Sequence, residues 1–406
     1  MAVGLSDSLP VLHPVAGIRL AVASAGIRSG KIGRNDLVLI ELAGGAACAA
    51  VFTRNAFCAA PVVVARRHLE HSPLYLLINS GNANAGTGAA GLAAAEHSCA
   101  AVAKLAGCRA EQVLPFSTGV IGEPLPVERI ASALPALNAS LAADGWPQAA
   151  RAIMTTDTVP KAVSRQLEIE GCLVTITGIA KGSGMIHPNM ATMLSYVATD
   201  AAIDRVLLQQ MLQRAVDQSF NCITVDGDTS TNDACVLMAT GVSAVRVSKG
   251  GHAAAEFQAA LDAVMCELAQ MVIRDGEGAT KFMTIAVTGG RDEAECRRVA
   301  DTVALSPLVK TAFFASDPNW GRILAAVGRA GVVDMDLQRV VIHLGDVCIV
   351  RDGGRAASYT EAQGAAVMKQ QEITVSIDLG RGQARAQVWT CDFSYDYVKI
   401  NAEYRS

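Results

Sequence analysis

Short apolar runs rich in valine, leucine and isoleucine recur along the chain between glycine-bearing turns, and alanine-rich stretches separate them. "DLVLIEL" from Asp36, "AACAAVFT" from Ala46, "PVVVAR" from Pro61 and "LYLLINS" from Leu74 read as early strands. The turn-rich "GNANAGTG" and a helix over about Ala89 to Leu105, stopped by Gly107, follow. A chain that switches between these two periods must cover sheet faces with helices. Only 4% of residues are aromatic while 51% are hydrophobic, so the layers are built from small side chains and pack closely. The expected class is α/β, mixed with α+β, with stacked sheets flanked by helices. At 406 residues the chain is long enough for a large core and two or three domains. It has no fixed-period repeat and no clear linker.

"QVLPFSTGVIG" reads as a strand entering a glycine turn, and helices are predicted from about Val127 and over "WPQAARAIM". The second of these runs into "TTDT", Thr155 to Thr158. "CLVTITGIA" from Cys172 is a buried-type strand. Helices are expected over about Ile203 to Gln218 and His252 to Ile273, with the polar cluster "DGDTSTND" from Asp226 between them. The last quarter returns to strands: "FMTIAVTG", "RVVIHLG", "VCIVRDG", "EITVSIDLG" and "QARAQVWTCDFS".

A net charge of −4 and the lack of any Lys/Arg run give no footprint for nucleic acid. The 11 cysteines are scattered without a Cys-x-x-Cys, which argues against a zinc site and a disulfide framework and fits a reducing compartment. The start "MAVGLSDSLP" has neither the basic nor the apolar region of a signal peptide, and the apolar runs fall short of a membrane span. A cytoplasmic protein that binds neither membrane nor nucleic acid, and no metal, is expected.

"GTGAAG", with Gly86, Gly88 and Gly91, matches a dinucleotide fingerprint, and a nicotinamide-dependent oxidoreductase is the alternative it supports. Against it, a long asparagine-rich turn separates it from the preceding strand, and the acid at roughly the right distance, Glu111, precedes the next strand instead of ending it. "DGDTSTND" begins like a calcium loop, but Thr231 stands where glycine is needed and Leu237 where the bidentate glutamate belongs. A hydrogen-bond network of acids and hydroxyls is the expectation there. No G-x-S-x-G elbow or Walker A motif occurs. His187 lies five residues before Thr192, close enough along the chain to be a candidate base, but a lone histidine is more often a hydrogen-bonded structural residue.

"KGSGMIHPNMATML", Lys181 to Leu194, sets Thr192 behind a small residue and ahead of an apolar run. A threonine hydroxyl is a weak nucleophile until a base takes its proton. If the peptide bond before Thr192 is cut, its own α-amino group becomes that base, with a reference pKa of roughly 7.7–8.0. Ala191 leaves room for the hydroxyl to attack its carbonyl. From spacing alone, an ordinary structural threonine is the better reading.

The same stretch resembles the autocleavage motif of the ornithine acetyltransferase family, the glutamate N-acetyltransferases of the cyclic arginine pathway. "NSGNANAGTG", "PFSTGVIG", "IMTTDT", "DGDTSTND", "RDGEGATK", "SDPNWGRI" and "DYVKINAEYRS" extend the resemblance over essentially the whole chain. The resemblance implies cleavage between Ala191 and Thr192 into an α chain, 1–191, and a β chain, 192–406, both contributing to one active site. It implies that Thr192 carries acetyl from N2-acetyl-L-ornithine to L-glutamate without a cofactor, with acetyl-CoA as a second donor in bifunctional members. It also implies an α2β2 heterotetramer and a layering like that of N-terminal-nucleophile hydrolases, differently connected. An N-terminal-threonine amidohydrolase, with water as acceptor, is the nearest rival.

By the same resemblance Thr118 and Gly119 form the oxyanion hole, where a backbone N–H and a hydroxyl suit the chemistry. Thr155, Lys181, Thr192, Glu277, Asn401 and Ser406 are implied to bind substrate. A cation at Lys181 suits the α-carboxylate shared by acetylornithine and glutamate, and Glu277 suits the ammonium end of ornithine. Asn401 and Ser406 lie in a tail that by itself would be expected to fray.

Overall fold

The computed structural model describes residues 2–27, 33–187 and 193–403. The chain forms two compact units. The smaller comprises Met1–Ser6, Cys222–Gly227 and Ile273–Tyr404; the larger holds Asp7–Asn221 and Asp228–Val272.

The larger unit carries two main sheets. One has the order Ile18–Ala23, Leu37–Leu42, Tyr75–Asn82, Val113–Val120. The other runs Ala47–Phe52, Ala234–Ala239, Leu194–Thr199, Cys172–Lys181, Lys161–Ile169. Alternation along the strands decides what each face buries. Val38, Ile40, Leu76, Ile78, Leu114 and Phe116 of the first sheet share a core with Ile179, Leu194, Tyr196, Val236 and Met238 of the second. Phe116 and Tyr196 meet edge to face across this core, with ring centres 5.3 Å apart. Leu37, Leu39, Leu77 and Val113 point the other way, into a second core with helices Gly88–Ala106 and Val127–Ala139.

The far face of the second sheet is covered by helix His252–Arg274. Gly178 has no room for a side chain there: a Cβ would lie 3.0 Å from Leu268. The layering is therefore helix, sheet, sheet, helix, as the sequence implied.

The smaller unit is built on one seven-stranded sheet in the order Ile223–Thr224, Ala384–Cys391, Phe282–Gly290, Glu372–Asp378, Val341–Leu344, Val347–Arg351, Gly354–Arg355. Its core joins Met283, Ile285, Val287, Val375 and Ile377 to helices Glu293–Ala304, Pro307–Phe314 and Trp320–Gly328.

One expected strand is a helix. "PVVVAR" lies in helix Ala60–His68, where proline in the first turn supplies a preset φ and Val62, Val64, Ala65 and His68 form a buried stripe. Packing on that stripe outweighs the β preference of three consecutive valines. No helix among the described residues is long and apolar enough to cross a membrane.

Candidate active site

Strands Cys172–Lys181 and Leu194–Thr199 flank the glycine-rich motif and pair antiparallel, with Lys181 opposite Leu194. Ala191 and Thr192, like Ser406, lie outside the described residues. Met193 is the first described residue after the Ala191–Thr192 junction. Its carbonyl accepts the Ala234 N–H at 3.1 Å, and its own N–H donates to the carboxyl of Asp233.

Asp233 is 4% exposed. The Ser230 hydroxyl and N–H also donate to its carboxyl, while Oδ2 has no hydrogen-bond partner among the described residues. Burial pushes this carboxyl well above the ordinary carboxylate range, against the pull of Lys181.

Asn232 reaches toward the other sheet. Its Nδ2 donates to the Ala83 carbonyl at 2.6 Å and to the Ser117 carbonyl at 2.9 Å. The Thr231 hydroxyl donates to its Oδ1 at 2.5 Å. Two consecutive residues thus tie Met193 to the strand end that carries Thr118 and Gly119. The network expected of "DGDTSTND" is present, and it joins the two sheets.

At that strand end Gly119 is irreplaceable. Its φ is +135°, and a Cβ would lie 2.3 Å from the Gly81 carbonyl carbon and 2.5 Å from the Asn82 nitrogen. Thr118 beside it is buried. The Ser117 hydroxyl donates to Asn79 at 2.6 Å, so neighbouring strand ends are cross-linked below the turn.

A second knot forms around Asp157. Its carboxylate accepts from the Thr155 N–H at 2.9 Å, the Gly182 N–H at 2.8 Å and Lys161 Nζ at 2.6 Å. The side chains of Asp157 and Lys161 are fully buried. Burial alone would raise the Asp157 carboxyl, but Lys161 and Lys181 hold it well below the usual carboxylate range. Lys181 Nζ donates to the Thr155 hydroxyl at 3.5 Å, so these two predicted residues are brought together.

In the smaller unit the structure pairs Glu277 with Asn401. Asn401 Nδ2 donates to Glu277 Oε2 at 2.8 Å and to the Tyr397 carbonyl at 3.0 Å. The tail is helical over Tyr395–Glu403, and Ser394 and Asn401 hydrogen-bond to the "DGEGATK" loop. Gly278, at φ +70°, permits this: a Cβ there would lie 2.5 Å from the Tyr397 nitrogen. The Ser394 hydroxyl donates to the Gly278 carbonyl at 2.6 Å.

Of the fingerprint-like glycines, Gly91 serves local packing. A Cβ on Gly91 would lie 1.8 Å from the Thr87 hydroxyl and 2.6 Å from Asn84 Oδ1. Asn84 Nδ2 donates to the Gly91 carbonyl at 2.9 Å, and Thr87 donates to Asn84 at 2.8 Å. Glu111 lies in the short 3₁₀ turn Ala110–Gln112 before its strand. His187 is half-buried near the end of the described motif. Sequence reasoning passed over Asp157, Asn232 and Asp233. The available signal was an acid or amide placed directly before a buried strand, as in "TND" ahead of "ACVLMA".

Stacked sheets between helices thus bring hydroxyl, amide, lysine and buried carboxyl groups around Met193, the residue that follows the Ala191–Thr192 junction. The chain belongs to the ArgJ family, which it matches over residues 19–406. It is similar to the arginine biosynthesis bifunctional protein ArgJ of Methylococcus capsulatus, with 63% identity over 396 residues, 97% of each chain. The protein of that name from Pseudomonas fluorescens is 57% identical over 408 residues, covering 100% of both chains. The crystal structure of the Bacillus halodurans protein is 39% identical with a TM-score of 0.50; the match spans 52% of this chain and 100% of that one.

Proposed function

We propose that this protein is a self-processing acetyltransferase of arginine biosynthesis that moves acetyl from N2-acetyl-L-ornithine to L-glutamate through an acetyl-Thr192 intermediate. The observation that carries this reading is full-length similarity to proteins named as bifunctional in arginine biosynthesis. The convergence of Asn232 and Asp233 on Met193 and on the Thr118–Gly119 strand end supports it. The Bacillus chain, wholly matched, spans only about half of this one, which suits a precursor that ends as two polypeptides.

In this reading the Thr192 hydroxyl attacks the Ala191 carbonyl, the Ala191–Thr192 C–N bond breaks to leave an ester on Thr192 Oγ, and water hydrolyses that ester, giving Ala191 a carboxylate and Thr192 a free hydroxyl and amine; residues 1–191 and 192–406 remain associated as α and β chains. The freed α-amine takes the hydroxyl proton as Thr192 attacks the acetyl carbonyl of acetylornithine. Gly119 N–H and the Thr118 hydroxyl stabilise the oxyanion, worth about 2.7–4 kcal/mol per donor. Ornithine leaves, and the glutamate amine takes acetyl in a second, mirrored step. Lys181 and Thr155 receive the carboxylate common to both substrates. Thr192, Asn401 and Ser406 complete substrate binding, and Glu277 offers a carboxylate to the ornithine ammonium. Acetyl-CoA serves as the second donor, no other cofactor takes part, and the assembly is a cytoplasmic α2β2 heterotetramer.

Transfer of labelled acetyl from acetylornithine to glutamate, assayed for wild type and Thr192→Ala, tests the reading. Wild type transfers label and runs as two bands near half of the 42.2 kDa chain; the variant stays uncut and inert. Release of free acetate in place of acetylglutamate would favour the amidohydrolase. An active uncut variant would remove Thr192 from the mechanism.

A further inference from the structure

Lys161 is a buried lysine that the acetyl transfer proposed above does not use. Its side chain is fully buried, and taking such a group out of water is costly unless a partner replaces the lost hydration. The partner is Asp157 Oδ1, at 2.6 Å, and Nζ also donates to the Val159 carbonyl at 3.3 Å. Lys161 opens strand Lys161–Ile169 opposite Ala180, the neighbour of Lys181. Two lysines on adjacent strands therefore act on one carboxylate, Lys161 the more strongly.

That carboxylate is fixed in place. It accepts the Thr155 N–H at 2.9 Å and the Gly182 N–H at 2.8 Å, so it stays between the turn that carries Thr155 and the residue that follows Lys181. Lys181 Nζ makes only a long hydrogen bond, 3.5 Å, to the Thr155 hydroxyl. One negative charge thus stands beside two positive ones. Attraction between unit charges is several-fold stronger in a poorly hydrated site than in water. Which lysine takes the Asp157 carboxylate therefore decides what the other can bind.

We propose that Lys161 is a positioning residue for substrate recognition: by occupying the Asp157 carboxylate it keeps that carboxylate from drawing Lys181 away from the substrate. The inference rests on Lys181 receiving the substrate α-carboxylate, as proposed above. Without Lys161, Asp157 takes Lys181 as its counter-ion, and the substrate carboxylate meets a neutralised site. Acetylornithine and glutamate share that carboxylate, so both lose by a similar factor.

Donor specificity reads this directly. N-acetylputrescine is acetylornithine without its carboxylate. The ratio of kcat/KM for the two donors measures carboxylate recognition and cancels any loss of folded enzyme. Wild type should prefer acetylornithine about tenfold or more, the usual worth of a charge-assisted hydrogen bond. Lys161→Met keeps the bulk and loses the charge. It should bring the ratio close to one and raise the KM for glutamate about tenfold or more. Lys161→Met combined with Asp157→Asn removes both charges and should regain most of the wild-type preference.

A folded Lys161→Met enzyme with the wild-type ratio overturns the proposal. So does a double variant whose ratio stays collapsed, since Lys161 would then act through shape and not through the charge of Asp157. Where Lys161→Met does not fold, the double variant decides on the same terms. Lys181→Met separates this inference from the reading beneath it and should collapse the ratio. A wild type without the preference, or a Lys181→Met enzyme that keeps it, overturns carboxylate binding by Lys181 and this inference together. Collapse in Lys181→Met but not in Lys161→Met overturns this inference alone.

Discussion

The carboxylate of Asp157 accepts the backbone N–H of Gly182 at 2.8 Å, and so locks the turn that carries Thr155 to the end of the strand that carries Lys181. The bond spans 25 residues and is buried. It sets the first turn of the glycine-rich motif, because Gly182 directly follows Lys181. The same carboxylate is neutralised by Lys161, four residues on, at 2.6 Å.

Asp157→Asn should destabilise the protein by about 3–5 kcal/mol, the usual cost of breaking a buried pair from one side. The sign with pH is definite. The Asp157 carboxyl is held below its usual range in the fold. Its stabilisation is therefore present above the unfolded value of about 3.9 and lost as pH falls through the folded value. Urea unfolding at pH 6 and near pH 3 should show the gap between wild type and variant shrinking in acid. A constant gap would mean the pair contributes by packing alone.

Thr118→Ala should leave the melting temperature nearly unchanged and lower kcat about 100-fold or more, as for other lost oxyanion donors. Gly119→Ala should fail in a different way. Its Cβ meets the Gly81 and Asn82 backbone, so loss of folded protein is expected alongside loss of activity. Circular dichroism and acetyl transfer measured on the same samples separate the two.

Asn232→Ala leaves the Ala83 and Ser117 carbonyls without their donor. A cost of about 1–3 kcal/mol for each buried group stranded is expected. If the Asn232 bridge also sets the Thr118 strand end, kcat falls more than KM rises. Steady-state kinetics on the folded variant check this.

Cleavage between Ala191 and Thr192 should not separate the products. In the five-stranded sheet, Ala47–Phe52 pairs with Ala234–Ala239, and Cys172–Lys181 pairs with Leu194–Thr199. Both ladders join segments from opposite sides of the junction. Native size-exclusion chromatography should show the two polypeptides eluting together at every concentration tested. Elution of either alone would contradict the shared sheet.

Glu277→Gln removes a carboxylate that Asn401 holds at 2.8 Å. A charge-assisted hydrogen bond is worth about 1.5–3 kcal/mol, so the KM for acetylornithine should rise about tenfold or more. The KM for glutamate, which has no side-chain ammonium, should change little.

Most elements could be read from local pattern. The helix ended by Gly107, the strand "CLVTITGIA" and the long helix from His252 carry their own period and stop signals. The valine run from Pro61 misled, because burial on one helical face is a property of what packs against it. The strands Leu194–Thr199 and Ala234–Ala239 also went unread, being uniformly buried and so without alternation.

The sequence by itself determined the motifs, the layering they imply and the residue types around the junction, since these depend on composition and spacing close along the chain. Only the tertiary structure decided that Asp157 reaches Gly182, that Asn232 reaches Ser117, and that Asp233 lies buried against Met193. Those contacts join segments 25 to 115 residues apart. An acid's protonation depends on which groups surround it, and hydrogen-bond partners are selected by sheet packing that no local spacing encodes.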